Sequence, residues 1–83
     1  MEIPFTSYSS PSRVIIIEAN QELEKVRVLD NSSNILCLFD KIPRNSEEIC
    51  NVKEYEVYLV QYNGLKDAVE CMKPEIIEPR PID

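Results

Sequence analysis

The chain has 83 residues, 43% of them apolar and 29% charged, a balance that suits one small globular domain and not a disordered polymer. Nine basic residues against fifteen acidic ones give a net charge of −6, so the mean field around the molecule repels phosphate and argues against nucleic-acid binding by the isolated chain. No apolar run reaches the roughly 20 residues that cross a bilayer, and the first residues lack the basic start and apolar block of a signal peptide, so the sequence reads as intracellular, in cytoplasm or nucleus.

The first twelve residues hold four serines and two prolines and read as an extended N-terminal arm, residues 1–12. The folded domain is expected over 13–73. Val14 to Ile17 is a β-branched run, stiff at χ1 and suited to a pleated surface, and forms the first expected strand. Lys25 to Asp30 alternates, with Val26 and Val28 on one face, and forms the second. Asn31 to Asn34 is a turn of side chains that hydrogen-bond their own backbone. Its Asn31-Ser32-Ser33 matches a glycosylation sequon, which an intracellular reading sets aside. Ile35 to Phe39 is apolar on both faces and forms a third strand, either central or covered by a partner.

Asn45-Ser46-Glu47-Glu48 resembles a helix start, with carboxylates near the positive helix end and Ile49 and Val52 on one side, so a short helix is expected over 45–52. Tyr55 to Tyr62 alternates over eight residues and forms a fourth strand. Asn63-Gly64, which holds the only glycine, is the signature of a type I′ hairpin turn. After it, periodicity fits a helix and turn chemistry fits a strand; the turn decides for a fifth strand over 65–73. Pro74, Pro79 and Pro81 make residues 74–83 a Pro-rich C-terminal tail.

This order, a mainly β fold with five strands and a short helix between strands three and four, resembles the OB-fold barrel. Residues Val26 to Asp40 are similar to the turn between strands two and three of replication-protein-A-like OB domains. The hairpin Val57 to Val69 also resembles an SH3-like or Tudor-like barrel, which is the second expectation. The first likeness implies a small accessory subunit of a nucleic-acid-handling complex.

Cys37, Cys50 and Cys71 are an odd number without C-x-x-C spacing and without any histidine in the chain, so the residues point to buried free thiols and to no metal site. The same lack of histidine, and of any Gly-rich loop, leaves no nucleophile–base pair or phosphate cradle, so no enzyme and no cofactor are expected. Leu36 and Leu38 on strand three and Tyr58 and Tyr62 on strand four are the expected partner-binding residues, because they form apolar surface that a small core does not cover. The expected function is therefore a non-catalytic protein-binding module. Two alternatives carry different signs: an acidic phage or viral inhibitor of a basic nucleic-acid-binding surface, and a standalone single-strand binder.

Overall fold

The computed structural model describes residues 3–73, which fold as seven antiparallel strands. The strands are β1 (Phe5–Ser10), β2 (Val14–Ala19), β3 (Leu23–Leu29), β4 (Ile35–Ile42), β5 (Glu47–Asn51), β6 (Val57–Tyr62) and β7 (Leu65–Glu70). They form a three-stranded sheet in the order β1-β2-β5 and a four-stranded sheet in the order β4-β3-β6-β7. Two packed sheets with the chain passing repeatedly between them make a β-sandwich.

Alternation along each strand builds the core. On the three-stranded sheet Phe5, Ile15, Ile17, Ala19 and Cys50 point inward, and on the four-stranded sheet Val26, Val28, Tyr58, Val60 and Val69 meet them. Between Leu23 and Val26 the inward spacing changes from two to three residues, where Lys25 adopts a φ of 55°. That irregularity keeps Leu23 and its ladder partner Ile42 in the core as well.

The local chemistry explains the turns. Asp30 gathers the β3–β4 turn: its Oδ1 accepts from the backbone N–H of Ser32 (2.9 Å) and of Asn34 (2.8 Å), and its Oδ2 accepts from Asn34 Nδ2 (3.0 Å). Asn63 and Gly64 both take positive φ, 46° and 79°, as the type I′ hairpin between β6 and β7 requires.

Four expectations are corrected. Within the helix expected over 45–52, Glu47–Asn51 form β5, because Ile15↔Cys50 and Ile17↔Glu48 pairing to β2 outweighs a two-turn helix signal. Asn45, the first residue of the expected helix start, instead has a φ of 64° and donates its backbone N–H to the Ala19 carbonyl. The five-stranded OB-like barrel gives way to two open sheets: no strand ladder joins β1 to β7 or β4 to β5, and an SH3-like or Tudor-like barrel fails on the same ground. The residues 1–12 expected as an arm contribute β1, whose Phe5 is 4% exposed and stacks edge-on with Tyr62 at 6.4 Å between ring centres. Finally, only Cys71 is a buried free thiol; Cys37 and Cys50 form a disulfide. The tail expected over 74–83 lies outside the described residues.

The seams between the sheets are closed by side chains in place of ladders. On one side the Cys37–Cys50 disulfide ties β4 to β5. On the other, Ser7 Oγ donates to the Asp67 carboxylate and Ser9 Oγ donates to the Glu70 carbonyl at 2.7 Å, tying β1 to β7.

Candidate functional site

The four expected partner-binding residues do not share a surface. Tyr58 is 1% exposed, and its hydroxyl donates to the Glu54 carbonyl at 2.7 Å while accepting from the Glu54 N–H at 3.3 Å. Its burial pushes the phenol pKa up, and its ring is core, not docking surface. Tyr62 is half-buried, packed inward against Phe5. Leu38 is exposed on the outward face of β4. Leu36 is exposed too, but it sits where the β3–β4 register shifts, beside a cleft of about 360 Å³ that Val52 and Tyr58 help to line.

Register shows what does lie together. On the outer face of the four-stranded sheet, Ile35, Leu29, Leu59 and Ala68 are successive ladder partners, so an apolar row runs across all four strands. The neighbouring row on the same face is Leu38, Arg27, Gln61 and Lys66. Ile35 is 54% and Leu38 55% exposed, while Leu29 and Leu59 are half-buried between their neighbours. Lys25, Arg27, Gln61, Asn63 and Gly64 line a shallow cleft of about 210 Å³ at one end of the face. Among the described residues the only ion pair is Lys41–Glu22, at 2.6 Å, so neither Arg27 nor Lys66 is neutralised by a contacting carboxylate there.

The outer face of the three-stranded sheet is built on the same plan with the opposite charge. Thr6, Glu18 and Glu47 form one row, and Tyr8, Ile16 and Ile49 form the next. Tyr8 and Ile49 are 41% and 54% exposed. The Tyr8 hydroxyl donates to Glu18 Oε1 at 3.0 Å, an interaction that raises the phenol pKa because ionising it would set two anions side by side.

Sequence reasoning missed Ile35, Leu29, Leu59 and Arg27 as members of one surface, since strand pairing across 30 residues decides it and no local pattern records that pairing. The signal that was present is the apolar character of both faces of β4, which marks one face as uncovered. No group of three or more His, Cys, Asp or Glu capable of holding a metal ion occurs among the described residues, and no helix there is long and apolar enough to cross a membrane. Compared with family models, curated proteins and solved structures, the chain matches none.

Proposed function

We propose that this chain is a non-catalytic protein-binding module whose docking surface is the outer face of its four-stranded sheet. The observation that carries the reading is the in-register apolar row Ile35–Leu29–Leu59–Ala68 flanked by Arg27 and Lys66. Single exposed apolar side chains are ordinary, but a contiguous row bordered by uncompensated cations has the composition of an interface, with Arg at its margin. Three cations, Lys25, Arg27 and Lys66, in a chain of net charge −6 are few to hold a phosphate backbone, which favours a protein over a nucleic acid. A chain without histidine, and without a metal-ligating cluster among the described residues, offers binding more readily than chemistry.

The test is affinity capture from the native source with the immobilised chain, comparing wild type with Ile35→Asp, Leu38→Asp and, as a control on the β1–β2 turn, Ser12→Asp. A specific partner retained by wild type and Ser12→Asp and lost by the two face variants supports the reading. Equal retention by all four chains overturns it.

A further inference from the structure

We infer that the partner suited to the four-stranded face is a second copy of this chain, presenting the outer face of its three-stranded sheet; this rests on the reading of the four-stranded face as a docking surface. Each face carries a charged row next to an apolar row; on the four-stranded sheet the charged row also holds the exposed Leu38. On the four-stranded sheet the charges are Arg27 and Lys66; on the three-stranded sheet they are Glu18 and Glu47. Sheets pack face to face with strand directions within about 30° of each other, and both faces space their rows by two residues, about 7 Å. One docking therefore places Leu29 and Leu59 against Ile16 and Ile49 and, at the same time, Arg27 against one carboxylate and Gln61 against the other, with Lys66 one strand beyond Gln61.

Pairing like faces does this less completely. Two three-stranded faces offer Glu18 and Glu47 no cation, and two four-stranded faces set Arg27 and Lys66 either against themselves or, turned end for end about the apolar row, against Val57 and the single carboxylate Glu70. The other carboxylates of the four-stranded face, Glu24 and Asp40, lie outside the two rows, beyond Arg27 and Leu38. Because the contact joins two different surfaces, each copy keeps one free face of each kind, and association proceeds head to tail into rings or filaments instead of stopping at a two-fold dimer. Rows of three and four residues make a contact below the standard interface size, so the association is weak and salt-sensitive.

The experiment is sedimentation velocity on the full chain as concentration rises toward about 1 mM, a range chosen for contacts of this strength, at low and high salt. Two charge-reversed variants, R27E/K66E and E18K/E47K, are run alone and as an equimolar mixture, each first confirmed as folded by circular dichroism. Wild type is expected to shift to larger species at low salt and to lose them at high salt. Each variant alone should associate roughly tenfold more weakly, a factor equal to one 1.4 kcal/mol interaction. The mixture should recover wild-type association, since it restores an acidic face opposite a cationic one. Each pair of substitutions shifts the net charge of −6 by four, to −10 and to −2. Loss of association in the −2 variant is thus opposite to what relief of general repulsion produces. A wild type that stays monomeric throughout, or a mixture that associates no better than its components, overturns the inference. If that happens while Ile35→Asp and Leu38→Asp still abolish capture of another protein, the docking face stands and only its occupant is wrong.

Discussion

Cys37 and Cys50, with Cα atoms 6.1 Å apart, lie on edge strands of different sheets, so their disulfide closes a seam that has no strand ladder. They are only 13 positions apart in the sequence. Closing a loop of that order removes chain entropy from the unfolded state, an effect of about 2–4 kcal/mol. In a domain of this size each kcal/mol moves Tm by about 4–8 °C. Reduction, or Cys37→Ser, is therefore expected to lower Tm by about 8 °C or more, measured by thermal melting with and without reductant. In the absence of reductant and denaturant the buried thiol of Cys71 should react with an alkylating agent only on the timescale of unfolding, which mass spectrometry follows.

Phe5 separates a structural β1 from a loose arm. Its ring is nearly fully buried against Tyr62, and its strand latches to β7 through Ser7 and Ser9. Phe5→Ala should cost about 3–5 kcal/mol, read as a shift in the urea midpoint. A midpoint unchanged by the substitution would show that β1 does not belong to the cooperative fold.

Asp30 and Tyr58 set opposite ends of the pH profile. Hydrogen bonds from the Asn34 backbone and side chain, and then from Ser32, lower the Asp30 pKa from its ordinary 3.8. Its contribution is present above that value and is lost as pH falls below it toward the lower folded-state pKa. Burial raises the Tyr58 pKa above its ordinary 10.0, so its contribution is present below pH 10.0 and is lost as pH rises through the higher folded-state value. Asp30→Asn should flatten the acid limb of a stability–pH curve, and Tyr58→Phe the alkaline limb. The hydroxyl's removal also costs about 1 kcal/mol at neutral pH.

Local chemistry made much of the sheet readable in the sequence. The β-branched run at Val14–Ile17, the alternation around Val26 and Val28, and the Asn63-Gly64 turn each fix a backbone state through neighbouring residues, and strands and a hairpin occur there. Glu47 to Asn51 differs from the local expectation because Asn45 to Glu48 favours a helix start, while its strand state depends on Ile15 and Ile17 more than 30 residues away. The disulfide was hidden for a related reason: the spacing of Cys37 and Cys50 says nothing until β4 and β5 are placed side by side. Tyr58 was placed on the wrong face because Tyr55 was counted into the alternation, whereas β6 begins at Val57 and turns Tyr58 and Val60 inward.

The proposed docking surface for protein is the outer face of the four-stranded sheet. Site-directed photo-crosslinking inside the native source tests it most directly, with a photoreactive residue replacing Leu38 on that face and, in a second chain, Ser12 on the β1–β2 turn. A discrete protein adduct is expected at position 38, absent at position 12, that disappears when Ile35→Asp is added. An adduct of the same mass at both positions, or adducts at position 12 alone, would contradict the proposed surface.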